Sequence, residues 1–238
     1  MYEVKERVRY SETDEEGILR LGVLTDFFQD CAYFELVDNG RELPLLLRHH
    51  LGWFVFFWQI EIASMPVLGD SITIGTSLHN TNGMVEQRNF YLKNSQNETI
   101  VKANSFWSLY DLQGKTIVKI PSEIVDHRDV HTPLDMSYAG RRIRIDQRCQ
   151  FHEAGRHRVE KNQLDSNHHL NNAKFIQMAL SDLDVRNDIV NRVLIEYKHQ
   201  AFVGDTVIVS SCECGKTTYV DFRTNIGTQL AVMSFVKH

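Results

Sequence analysis

Apolar residues recur along the 238-residue chain at two periods, and the periods alternate in the same order twice. Leu21, Leu24, Phe27, Phe28, Cys31 and Phe34 stand three and four apart, the spacing of one helix face. Leu170, Ala173, Ile176, Met178, Ala179, Leu180 and Leu183 make a second, broader stripe, as for a helix buried on more than one side. A short strand and a loop precede each stripe, and β-rich runs bounded by Gly, Asp and Asn follow it. These predict strands over 53–62, 71–78, 84–93 and 100–110, then over 192–199, 206–214, 217–224 and 229–236. The aromatic run from Leu51 to Trp58 suits a buried strand, and Asp111-Leu112-Gln113-Gly114-Lys115 reads as a hairpin turn.

The duplication is explicit in residue identities. Glu61 and Glu196, Gly69 and Gly204, and Asp70 and Asp205 are each 135 residues apart, with a β-type run after each Gly-Asp turn. One helix followed by a strand meander is an α+β unit in which the sheet wraps the helix. Two such units form a fused pseudo-dimer, and the proline- and charge-containing stretch from Pro121 to Tyr138 is the expected linker. The division falls at 1–128 and 129–238.

Composition adds exclusions. A net charge of −5 argues against generic nucleic-acid binding. No apolar run reaches the roughly 20 residues a membrane helix needs, and the charged start is unlike a secretory leader, so a cytoplasmic location is expected. Cys31, Cys149, Cys212 and Cys214 lack metal-site spacing and read as free thiols. Between Arg141 and Lys161 basic residues outnumber acidic ones, which suits either a solvated strand face or a docking surface for an acidic partner.

The densest polar cluster is Asp165-Ser166-Asn167-His168-His169-Leu170-Asn171-Asn172, immediately before the second helix. Asp and Asn there suit capping and turns, but one Asp, three Asn and two His exceed what a cap needs. A histidine titrates near neutral pH and serves as a general base.

This cluster resembles the D-x-N-x-H-x-x-N pattern of the plant and bacterial acyl-ACP thioesterases, through Asp165, Asn167, His169 and Asn172. Arg9-Tyr10-Ser11-Glu12-Thr13-Asp14, Phe28-Gln29-Asp30-Cys31, Trp58-Gln59-Ile60-Glu61-Ile62, Arg88-Asn89-Phe90, Lys102-Ala103-Asn104-Ser105 and Ile120-Pro121 extend the resemblance over nearly the whole chain. The resemblance implies two fused hotdog domains, an acyl-pocket half and then a catalytic half. It also implies hydrolysis of fatty acyl-ACP to free acid and ACP, ending chain elongation, with no cofactor or metal. In the implied site His169 is the base, Asp165 orients it, activates water or attacks directly, and Asn167 donates to the thioester oxygen or fixes the water. The family spacing selects His169 over His168.

Plant members carry Tyr-Arg-Arg-Glu-Cys where this chain has Tyr197-Lys198-His199-Gln200-Ala201. Gln200 thus replaces a proposed catalytic glutamate; an amide holds water but is no base near pH 7. Aligning Asp14 with Asp165 puts Glu16 and Ile18 opposite Asn167 and His169, so the first half has lost the chemistry. Its aromatics, including Phe27, Phe28, Phe34, Trp53, Phe54, Phe56, Phe57 and Trp58, line or border the implied acyl pocket, although plain core packing is the simpler account of any one. ACP is acidic, so Arg141, Arg142 and Arg144 are the docking candidates. An acyl-CoA thioesterase, a hotdog dehydratase and an inactive acyl-binding module fit less well; the doubled chain neither requires nor excludes a homodimer.

Overall fold

The computed structural model describes every residue except 126–127, 184–188 and 238. The first half runs β1 (Tyr2–Arg7), α1 (Leu21–Asn39), α2 (Glu42–Arg48), β2 (Leu51–Ile62), β3 (Ser71–Thr81), β4 (Glu86–Lys93), β5 (Thr99–Asp111), β6 (Thr116–Val118) and α3 (Ser122–Val125). The second runs β7 (His152–Arg158), α4 (Asn172–Leu183), β8 (Val190–Tyr197), β9 (Thr206–Cys214), β10 (Thr217–Thr224) and β11 (Gln229–Lys237).

One antiparallel sheet carries both halves, in the order β1-β3-β4-β5-β2-β8-β11-β10-β9-β7, with β6 paired to β5. The second five strands repeat the first five in mirror order, the signature of two hotdogs joined edge to edge. The seam is β2 against β8, from Phe57↔Glu196 to Glu61↔Arg192. At its centre Gln59 pairs with Leu194, which is its own counterpart at the 135-residue offset. The pseudo-twofold axis therefore passes through that pair.

Local chemistry is duplicated as well. Gly69 and Gly204 both adopt φ 89°, a backbone shape that favours glycine in the turns before β3 and β9. Helices α1 and α4 pack together inside the wrapped sheet. They approach closely at Gly22, where an added Cβ would stand 3.3 Å from the Ala173 carbonyl. The apolar core is continuous across the seam; Phe28 stacks among Trp58 and Phe90 on one side, and Phe175 meets Phe222 edge-on at 5.3 Å on the other.

Two expectations change. Phe34 is 45% exposed, although it lies on the face of α1 that buries Phe27 and Cys31. The linker after Pro121 is held against the first sheet. The Leu134 N–H and the Tyr138 hydroxyl donate to Asn89 Oδ1 at 3.0 Å, and the Ala139 N–H donates to Gln59 Oε1 at 2.6 Å. The chain thus follows the first sheet to Ala139 and reaches the second at Ile143, whose N–H donates to Glu196 Oε2 at 3.0 Å. Within the arginine-rich stretch only His152–Arg158 is a strand; residues 141–151 are irregular.

Candidate active site

Strand β2 outruns its partner. Beyond Phe57↔Glu196 it has β5 on one side and no pairing with β8 on the other. A cleft of about 960 Å³ opens along this unpaired edge, and residues from both halves line it.

The loop before α4 supplies the polar wall, and its shape follows from Asp165. Asp165 Oδ1 accepts the N–H groups of Asn167 at 2.8 Å and His169 at 3.1 Å, and the Asp165 N–H donates to the His169 carbonyl. His168 takes the left-handed conformation this tight loop requires, φ 64°, and is exposed. Asn171 caps α4 through Oδ1, which accepts the Ala173 N–H at 2.8 Å. Capping and turn chemistry thus account for Asn171, His168 and one oxygen of Asp165. They leave Asn167, His169 and Asn172 with their side chains on the cleft.

His169 sits between Phe202, edge-on at 5.1 Å, and Phe54 at 6.2 Å. Its Nδ1 is buried and has no hydrogen-bond partner among the described residues. Burial lowers its pKa below the ordinary 6.5 and His168 adds to this, while Asp165 partly offsets both. The imidazole is therefore neutral at neutral pH and available as a proton acceptor.

Gln200 and Arg141 also line the cleft. Arg142 and Arg144 are exposed close by but outside it. Farther along the same stretch, Arg148 and Arg156 are engaged by Asp146 and Glu153. Of the aromatics, Trp53, Phe54 and Phe56 line the cleft, whereas Phe27, Phe28, Phe57 and Trp58 are core.

The opposite wall is α1, where Asp26, Gln29, Asp30 and Tyr33 face the cleft. The sequence holds a signal for three of them, since 26, 30 and 33 recur at helical spacing, but such a stripe reads as a solvated face. Burial, reinforced by Asp30 and offset by Lys174, raises the Asp26 carboxyl to about 6. Asn172 Nδ2 donates to Gln29 Oε1 at 3.5 Å, and the Tyr197 hydroxyl donates to the Asn172 carbonyl at 3.1 Å. Tyr33, Trp53 and Trp107 also border a second cavity of about 230 Å³ in the first half, whose lining includes exposed Met1 and Asp129. No cluster of metal-ligand type occurs among the described residues, and no helix there is long and apolar enough to cross a membrane.

The family model for the acyl-ACP thioesterase N-terminal domain matches residues 1–127, more than half of the chain. A chloroplastic palmitoyl-acyl carrier protein thioesterase of Arabidopsis thaliana is 23% identical over 194 residues, covering 76% of this chain and 47% of that protein. A chloroplastic acyl-[acyl-carrier-protein] hydrolase of Cuphea viscosissima is 26% identical over 200 residues, covering 74% and 45%. The chain thus spans about half the length of the curated relatives it matches. Among solved structures, an acyl-ACP thioesterase from Bacteroides thetaiotaomicron superposes with a TM-score of 0.87 at 19% identity, over 99% of this chain and 97% of that one. A 12:0-ACP thioesterase from Umbellularia californica gives 0.79 at 13% identity, over 100% and 96%. These likenesses carry the double-hotdog fold, and the family match adds membership: the chain belongs to the acyl-ACP thioesterase family.

Proposed function

We propose that this chain hydrolyses fatty acyl-ACP to free fatty acid and ACP, ending chain elongation in the cytoplasm, with 1–128 as acyl-pocket half and 129–238 as catalytic half. The observation that carries the reading is His169, neutral at neutral pH and unpartnered at Nδ1, beside Asp165 and Asn167 in a cleft lined by both halves. In this reading the His169 imidazole takes a proton from water as its oxygen adds to the thioester carbonyl. The Asn167 amide donates to the developing oxyanion. The C–S bond then breaks, and the imidazolium returns the proton to the departing thiolate.

Asp165 Oδ1 already accepts two N–H groups, which occupies its lone pairs and makes that oxygen a poor nucleophile. Its role here is to brace the loop and stabilise the imidazolium. Gln200 and Asn172 are supporting contacts. Arg141, with Arg142 and Arg144 beside it, offers a basic rim to acidic ACP.

Release of free fatty acid from a panel of acyl-ACPs by the wild type, and none by His169→Ala, is the expected result. Silence at every chain length would put an acyl-binding module first, the reading that Gln200 in place of the family glutamate favours.

A further inference from the structure

The second cavity would be an odd neighbour for a greasy chain. Trp53 and Trp107 are the aromatic side it shares with the cleft, and much of the rest of its lining is charged, exposed Asp129 included. Arg88 pairs with Glu35, and Arg128 holds both Glu42 and Glu86. The Trp53 indole N–H donates to Glu42 Oε1 at 2.6 Å, and the Arg128 guanidinium lies over the Trp53 ring at 5.0 Å. Three carboxylates thus face two guanidiniums. Glu86 is 1% exposed; its Oε2 takes Arg128, and its Oε1 has no partner among the described residues.

A buried carboxylate oxygen without a donor is costly, and a methyl-ended acyl chain against it returns nothing. We propose that this wall recognises a hydroxyl group on the distal part of the acyl chain, so that the favoured substrates are hydroxylated fatty acyl thioesters. This rests on the thioesterase reading for the reaction, but not for the binding. A hydroxyl donates to Glu86 Oε1, and it can also accept should that carboxyl be protonated, as burial favours. A terminal carboxylate is repelled by Glu35, Glu42 and Glu86, and an ammonium costs far more to desolvate than a hydroxyl.

Position along the chain follows from sheet register. Glu86 pairs with Trp107 and Trp107 with Val55, so Glu86 stands two strands from β2, about 10 Å at the usual strand spacing. Val55 adjoins Phe54, which packs on His169. The recognised hydroxyl is therefore far from the reacting carbonyl, unlike that of a 3-hydroxyacyl chain.

The test is the affinity of matched free acids, plain and hydroxylated in the distal half, read from tryptophan fluorescence of the whole chain. Wild type is expected to favour the hydroxylated acid by about tenfold, the worth of one hydrogen bond to a charged group. Glu86→Gln should remove most of that ratio. Equal or weaker binding of the hydroxylated acids by wild type overturns the proposal without needing the variant, as does an undiminished ratio in folded Glu86→Gln. Turnover of the matching acyl-ACPs is measured beside it. Preferential binding without hydrolysis sinks the thioesterase reading and leaves this one standing, whereas hydrolysis without the preference does the reverse.

Discussion

Asp165 has a structural twin, and the twin lets its two jobs be measured separately. In the first half, Asp14 Oδ1 accepts the N–H groups of Glu16 at 3.2 Å and Ile18 at 2.8 Å, as Asp165 does for Asn167 and His169. Only the second loop carries a histidine. Asp14→Ala therefore removes the brace with no chemistry attached. Two hydrogen bonds to a carboxylate in a partly solvated loop are worth about 2 kcal/mol together, since water replaces part of each. For a chain of this size that is about 4–8 °C in Tm. Asp14→Ala should lose that much Tm and keep its turnover. Asp165→Ala should lose the same Tm and also turnover. Asp165→Asn retains an oxygen acceptor but not the charge, so it should melt near wild type while kcat/KM falls by about 10- to 100-fold, the cost of destabilising the imidazolium. The assay is calorimetric melting beside fatty acid release for all three. Wild-type turnover in Asp165→Asn would falsify the chemical role and leave only a brace. An unshifted Tm in Asp14→Ala would refute the energetic reasoning itself.

The remaining predictions concern charge. The lowered pKa of His169 places the acid limb of the kcat/KM–pH profile below 6.5, and a limb centred above neutrality would exclude it as the base. Asp26 is protonated in both states below its ordinary 3.8; as pH rises, the unfolded chain ionises first, so stability falls until the folded carboxyl titrates near 6. Asp26→Asn should therefore raise stability at pH 8 by about 1–3 kcal/mol, with the gain fading below 3.8; equal melting curves at both pH values would remove the burial argument. Arg141→Glu with Arg142→Glu should raise KM for acyl-ACP and not for a small acyl-CoA, and equal effects on both would discard the docking rim. Gln200→Glu should change the rate modestly; complete loss of activity would mean the site is organised differently.

Where each side chain's surroundings are set by neighbours in sequence, the fold was legible. Strands β9 and β10 fall at 206–214 and 217–224 as read, because alternation and flanking turns fix both ends. Helix α2 was missed: it has seven residues, includes Pro44 and buries a single leucine, Leu46, too short a pattern to register a period. Arg128 was missed because nothing in the polar linker announces that Glu42 and Glu86 stand ready for it. The histidine loop was legible as a density of polar residues. The wall across from it was not, since Asp26, Asp30 and Tyr33 become cleft residues only when the second half covers that face of α1.

That dependence bears on why a doubled fold carries one histidine loop. Leu19 and Leu170 close equivalent loops, donating to the carbonyls of Pro66 and Ala201, which are 135 residues apart. Ile18 then stands where His169 stands, bridging to Val67, the counterpart of Phe202. The brace and the turn are retained, while Glu16, Ile18 and Val67 stand where the second half has Asn167, His169 and Phe202. In a symmetric pair of identical chains, any change in the loop would strike both sites together. Fusion removes that constraint. It lets the first half keep Asp14 in its loop while its helix face, with Trp53 and Trp107, lines the cleft that holds His169.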